Sequence, residues 1–397
     1  MANKYSKEEE EVIRHYYPME GFAGCKKRLS NRSIEGIKSK AKAMGIKSER
    51  IQIPSDIANN EIDISFLVKE NDRLKEILKK EKIKTEIFLE KAQVSISKIK
   101  FFPPKIPKIR HVKHDIETHL LHGDTQVGSF VKPQKTQGIG NYNFEIYKKR
   151  MENMKERLYC FWEQDHDSLG LNKMVLVLIG DMVEGEGQIY NKQSYDLEFG
   201  ITDQVFRGIE VEVNFINFLA GLFPQVEIFA IPGNHGRVFG GGENDSWDYM
   251  FYKILQMCLI GTKNVKMFVS ESPGMLVKHG DFNFMYSHSA NAKSWNSIPF
   301  YGLDRAAMRI NALYDMIIDY LIVGHFHEEA KFRNVIVNGT VVGGSPLSIN
   351  KMNITSVPSQ LMFYFDKCWG INRQSTLILD EIPAMRTDDN GIYTRWS

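Results

Sequence analysis

The stretch VLVLIGDMVEG, residues 175–185, decides how this chain is read. Val175 to Ile179 are apolar without a break, and Gly180 and Asp181 follow at once. An unbroken apolar run of this length suits a strand covered on both faces. The glycine permits a tight turn that sets a carboxylate just past the strand end. The same pattern recurs four times. LLHGDTQVG (120–128) presents Asp124, and IFAIPGNHGR (228–237) presents Asn234 and His235. FMYSHS (284–289) presents His288, and LIVGHFHE (321–328) presents His325 and His327. In α/β sheets, sites lie beyond the carboxyl ends of the strands, so these five segments are expected to meet at one edge.

Between the strand candidates lie amphipathic stretches that read as helices at 144–164, 203–222, 246–260 and 303–317. NVIVNGTVV, QLMFYFD and STLILD read as further strands. The expectation is an α/β domain over residues 112–380, followed by a polar tail at 381–397. No apolar stretch approaches the about 20 residues that cross a bilayer. The four cysteines are dispersed, and the polar start lacks a signal-peptide core, which suits a reduced, cytoplasmic protein.

Carboxylates, imidazoles and an amide together form a mixed ligand set. Calcium sites are built from oxygen alone, so the set favours Mn, Fe, Zn or Ni. A buried carboxylate is expensive without a counter-charge, and a divalent cation supplies one. Two ions roughly 3.5–4 Å apart activate water and neutralise phosphoryl oxygens. His235, next to Asn234, suits a general acid for the leaving oxygen, and Arg237 suits a phosphate clamp. His111, His114, His119 and His122 cluster before the first segment and read as strand and linker residues. Glu184 reads either as shaping the mouth of the site or as a surface residue.

In order and spacing, the segments resemble the calcineurin-like metallophosphoesterase superfamily: D-x-H, G-D-x-x, G-N-H-D/E, a lone H, then G-H-x-H. The resemblance covers about residues 115–366. It implies two mixed β-sheets packed as a sandwich and flanked by helices. It implies two divalent ions, Mn first among them. Asp124 and His327 would hold one ion, Asp181 would bridge, and Asn234, His288 and His325 would hold the other. His235 would be the catalytic histidine. Two positions depart from the pattern. Gln126 stands where the family has His, so it would be a neutral, weaker ligand. Gly236 stands where the family has Asp or Glu, so the partner of His235 must come from elsewhere.

The front of the chain differs in charge. Residues 1–114 carry a net +10 and the remainder −8. A basic front end on an acidic body points to a polyanionic partner. Within residues 1–50, Ser6 and Glu9 form a capping box for a first helix, with Pro18 and Gly21 as its stop. FAGCKKRL reads as a second helix with Phe22, Cys25 and Leu29 inward. Ser33 caps a third helix, in which Ile34, Ile37, Ala41 and Met44 share a face. Lys38, Lys40 and Lys42 lie off that face, with Arg32 at its start, and these four are the candidate DNA contacts of a helix-turn-helix module. The ending from Leu29 to Gly45 also resembles Myb/SANT-like helix-turn-helix domains, with Tyr5 where members often have Trp. A three-helix protein-interaction module is the alternative. Residues 51–111 read as a linker and a long helix over 61–98, whose Leu67, Leu74, Ile77, Leu78, Ile83 and Ile87 suit a homodimer contact.

The combined expectation is a metal-dependent phosphodiesterase brought to DNA by its front end, as a DNA nuclease or DNA-end processing enzyme. The alternatives are a phosphomonoesterase acting on phosphoproteins or nucleotides, and a DNA-binding or structural protein with a degenerate site.

Overall fold

The computed structural model describes residues 5–47, 64–98, 104–109, 115–136, 138–186, 196–238, 240–289, 291–292, 300–346, 348–349 and 357–380. The expected linker at 51–60, the tail at 381–397, and His111 and His114 lie outside these. The chain forms two compact units, Met1–Thr85 and Glu86–Ser397.

In the first unit, α1 (Lys7–Arg28) starts from the expected capping box, with Ser6 Oγ accepting from the Glu9 N–H. Pro18 lies inside this helix, and the break comes at Gly21, whose φ of +64° only glycine adopts readily. In α2 (Ile34–Ala43), Ser33 Oγ accepts from the Gly36 N–H. Ile13, Cys25, Leu29, Ile37 and Ala41 form the small core. Phe22, expected inward, lies at the surface under Lys38. Arg32 is engaged within the unit: its guanidinium makes a two-pronged pair with Glu9 at 2.8 and 2.6 Å and covers the Tyr5 ring. Lys40 pairs with Glu10 at 2.6 Å, while Lys38 and Lys42 are exposed. The long helix α3 (Ile64–Lys98) leaves Leu74, Ile77, Leu78, Ile83 and Ile87 exposed. Within the second unit its Phe88 packs on Phe206, and Lys91 pairs with Asp203.

The second unit is a four-layer α/β sandwich. Its first sheet has the order β11 (Gly370–Ile378), β10 (Ser359–Asp366), β1 (Ile116–His122), β2 (Lys173–Leu178), β3 (Gln225–Ala230), β4 (Val265–Val269). Strands β1 to β4 are parallel, β10 runs antiparallel to β1, and β11 runs antiparallel to β10. The second sheet has the order β5 (Gly274–His279), β6 (Phe282–Ser287), β7 (Tyr320–Val323), β9 (Val335–Val337), β8 (Ala330–Phe332). There β6, β7 and β9 are parallel. The architecture is therefore the expected pair of mixed sheets flanked by helices.

Alternation along β2 shows how the layers are made. Met174, Leu176 and Leu178 enter the cluster under α4 (Phe144–Leu169), α5 (Ile201–Leu222) and α6 (Trp247–Cys258). Val175, Val177 and Ile179 enter the cluster between the sheets, against Phe284, Tyr286, Ile322, Ile336 and Phe363. Each such side chain contributes about 1.5–3 kcal/mol by leaving water. An Asp at Val177 would break both the strand and the sandwich. The outer face of the second sheet packs on α7 (Phe300–Tyr314) through Leu303 and Ala307. Because β1, β2 and β3 are parallel, as are β6 and β7, the loops after them leave each sheet on one edge.

Candidate metal centre

The backbone departs from the ordinary where the strands end. Of the eight described non-glycine residues with positive φ, five are Asp124, Gln126, Asp181, His325 and His327. Left-handed backbone costs free energy at such residues and persists only where the surroundings impose it. The glycines between the loops explain the imposition. A Cβ on Gly233 would lie 2.1 Å from Asp181 Oδ1, and one on Gly180 would lie 2.8 Å from His288 Nδ1. The loops after β2, β3 and β6 thus meet in a space that only glycine leaves open.

The side chains converge in pairs. His288 Nε2 lies 3.0 Å from Asp181 Oδ2, and His327 Nε2 lies 3.2 Å from Asp124 Oδ1. The His325 N–H donates to Asp124 Oδ2 at 2.9 Å, and the His235 N–H donates to Asp181 Oδ1 at 2.8 Å. Ligand atoms of Asp181, His288 and His325 all fall within 4.8 Å of one another. The Gln126 amide sits between His235 and His327, its Nε2 being 3.4 and 3.3 Å from their Nε2 atoms. Asn234 is buried beside Gly233. Arg237 is exposed.

Charge and burial set the protonation states. Burial would raise Asp181, but His288 and His235 overcome it and hold the carboxyl well below its usual range. Burial and the neighbouring His288 lower His325 to about 4, leaving it neutral and able to donate a lone pair. His288 is raised to about 9 against its burial, chiefly by Asp181. Its Nδ1 lies 2.7 Å from the Ile179 carbonyl, so Nδ1 carries the hydrogen and Nε2 points to Asp181.

This donor set fits divalent ions. Asp124 Oδ1, Asp181 Oδ2 and His288 Nε2 are buried and make no hydrogen bond of proper geometry among the described residues. Buried polar atoms in that condition are rare, and divalent cations would satisfy them. A second trio, Glu117, His119 and His279, also brings ligand atoms within 4.8 Å. There the carboxylate already has partners: Lys173 at 3.1 Å, His279 Nδ1 at 2.9 Å and His119 Nε2 at 3.2 Å. Tyr286 Oη faces His279 Nε2 at 3.0 Å, so this trio is a hydrogen-bonded plug between the sheets.

Two carboxylates complete the site. Glu184 Oε2 faces His235 Nδ1 at 3.3 Å, in the place left open by Gly236. Against the effect of burial, Glu184 and Asp181 raise His235 to about 10. A Cβ at Gly236 would lie 2.9 Å from the Asp248 nitrogen, which explains why no acid stands there. Asp248 has no counterpart in the sequence reading. It is wholly buried and accepts backbone N–H groups from the loops after β2 and β3. Its one sequence signal is a lone acid in the first turn of a capped helix, which reads as an ordinary dipole complement.

No family model matches the chain, and neither does any curated protein sequence. Among solved structures, Entamoeba histolytica Vps29 complexed with zinc is 11% identical, with a TM-score of 0.28, over 66% of this chain and 99% of that one. Vps29 of Chaetomium thermophilum is 9% identical, with a TM-score of 0.27, over 65% and 97%. A Staphylococcus aureus protein assigned as a 5'-nucleotidase is 11% identical, with a TM-score of 0.32, over 70% and 57%. Scores this low leave the strands and side chains of this chain as the ground for its chemistry.

Proposed function

We propose that this chain is a dinuclear metallophosphoesterase that hydrolyses phosphodiesters, acting as a DNA nuclease or DNA-end processing enzyme. The observation that carries the reading is the set of buried, unsatisfied ligand atoms on Asp124, Asp181 and His288, gathered from separate strand ends. Asp124, His327 and Gln126 would hold one ion, Asn234, His288 and His325 the other, with Asp181 between them. Bound there, two divalent ions, Mn first among them, supply Lewis acidity and neutralise phosphoryl oxygens.

The chain's own residues do the rest. His235 carries a proton at the mouth of the site and gives it to the leaving oxygen. Glu184 orients the ring from Nδ1, 3.3 Å away. The exposed Arg237 meets a neighbouring phosphate of the substrate. The front end supplies the attraction that an acidic body lacks. Lys38 and Lys42 are its exposed cations on α2, whereas Arg32 and Lys40 are paired within the unit. Duplex binding through that helix is the handle of this reading.

The test is Mn-dependent hydrolysis of bis-p-nitrophenyl phosphate against the monoester, on the full chain and on Asp181→Ala. Diester preference abolished by the substitution is expected. Monoester preference would favour the phosphatase alternative. Activity that survives Asp181→Ala would end the metal reading. For the handle, Lys38→Glu with Lys42→Glu should weaken duplex binding and flatten its salt dependence by about two phosphate contacts. Unchanged binding would assign α2 to a protein partner.

A further inference from the structure

Asp248 sits in the first turn of α6, behind the Ser246 cap, and is 0% exposed. Its carboxylate accepts four backbone N–H groups. Oδ2 takes those of Asp181 and Gly233, each at 2.8 Å, and Oδ1 takes those of Met182 and Val183 at 3.1 and 3.3 Å. Three donors belong to the loop after β2, and the fourth belongs to the loop after β3. The Trp247 N–H donates in turn to the Gly236 carbonyl at 2.7 Å, so α6 also grips the far side of the second loop. No Lys or Arg pairs with Asp248 among the described residues.

A buried carboxylate lacking a cation is costly, and four amide donors offset that cost only while both loops hold their places. The chemistry requires a carboxylate in particular. Asparagine has the same shape but one acceptor oxygen, and its NH2 would confront the donors on the other side. A residue needed only to cap α6 would not meet this demand, since Ser246 already does that by accepting from the Tyr249 N–H.

We propose that Asp248 is a positioning residue that fixes the spacing between the two ligand loops, and so between Asp181 and Asn234, without touching ion or substrate. The proposal rests on the metallophosphoesterase reading for its catalytic consequence but not for its structural one. The metal-free protein offers a test independent of activity. In Asp248→Asn, amide exchange at Asp181, Met182, Val183 and Gly233 should quicken at least tenfold. In Ser246→Ala, which loosens the same helical turn, exchange at those four amides should stay within a factor of two or three.

With Mn added, calorimetry on Asp248→Asn should read an affinity about 10- to 100-fold weaker, the size of loss seen when outer partners of metal ligands are removed. The spin-coupled Mn-pair signal in electron paramagnetic resonance should give way to that of isolated ions. kcat should fall while KM holds. Should Asp248→Asn fail to fold, Gly236→Ala serves instead. It keeps the carboxylate but pushes the first turn of α6 away, and a smaller loss in the same direction is expected. Wild-type exchange and Mn affinity in the variant that folds would overturn the proposal, as would equal losses in Ser246→Ala. A wild-type protein that neither binds Mn nor cleaves diesters would instead sink the enzymatic reading, with the exchange experiment still deciding the role of Asp248.

Discussion

Replacing Gly233 with alanine puts one methyl group where the loops after β2 and β3 touch. The added carbon would lie 2.1 Å from Asp181 Oδ1 and 2.2 Å from the Asp181 nitrogen, against 3.4–4 Å for an ordinary contact. Relief requires a relative movement of more than an ångström. Asp181 cannot supply it by a side-chain turn, because its own backbone nitrogen is one of the two atoms hit. The movement also pulls apart the 2.8 Å bond from the His235 N–H to Asp181 Oδ1. A misplacement of about 1 Å in a catalytic group costs about 100-fold in rate, equal to about 2.7 kcal/mol of transition-state binding. Overpacking costs a further 1–3 kcal/mol or so of stability. The expected result is a folded protein whose diesterase kcat/KM falls at least about 100-fold and whose Mn affinity falls with it. Gly200→Ala is the control. Gly200 has a φ of −69°, and no atom lies within 4 Å of its missing Cβ. It should change stability by less than about 1 kcal/mol and leave Mn binding alone. A Gly233→Ala protein with wild-type kcat/KM would refute the claim that these loops form the centre.

Two further outcomes follow from the site and the core. Glu184→Gln removes the charge facing His235 Nδ1 at 3.3 Å, so kcat should drop about 10- to 100-fold with Mn content unchanged. Gly236→Asp in the same protein should not restore it, since a Cβ there crowds Asp248, and recovery of kcat in the double variant would refute the assignment. The plug between the sheets should make the protein acid-labile. Burial lowers His119 to about 4 from an ordinary value of 6.5. Its neutral form therefore stabilises the fold above pH 6.5, and that contribution is lost as the pH falls through 4. The shift corresponds to at most about 3 kcal/mol. Urea midpoints of the metal-free protein between pH 7 and 4.5 should fall, and His119→Gln should flatten the fall. An equal slope in that variant would move the cause elsewhere.

The strands that carry ligands were legible because they are covered on both faces, which writes them as largely apolar runs ending in Gly-Asp, Gly-Asn, Gly-His or, for β6, Ser-His. β4, β5 and β8 escaped that reading because they are short edge or near-edge strands. β4 alternates half-covered residues with exposed Lys266 and Phe268, and β8 exposes Lys331 and Phe332. Neither pattern stands out from a loop. Periodicity placed the cores of α4 to α7 well, and the break at Gly21 falls where the sequence put a stop, but it did not foresee that α1 continues through Pro18. Arg32 shows a different limit. Its place at the start of a basic helix suggests a phosphate contact, yet Glu9, 23 positions earlier, takes both prongs of the guanidinium. Separation along the chain hides such pairs. Asp248 was hidden for the same reason, since its partners are backbone amides 15 to 67 residues away.

The missing acid after His235 and the substitute that faces its ring have one physical origin. Helix α6 must come close for the Asp248 carboxylate to reach the amides of Asp181, Met182, Val183 and Gly233. That approach brings the Asp248 nitrogen so near residue 236 that a side chain there has no room, and glycine is what remains. An acid following His235 in sequence is thereby excluded. The grip on residues 181–183 also fixes the course of the chain one residue further on, where Glu184 donates its N–H to the Val127 carbonyl and turns its carboxylate toward His235 Nδ1. The contact that removes the expected partner thus seats the substitute. On its other side, His235 Nε2 faces the Gln126 amide, a neutral group where an imidazole stands in the resembling motif. Glu184, seated by that grip, is the carboxylate that together with Asp181 holds the His235 ring in its charged form.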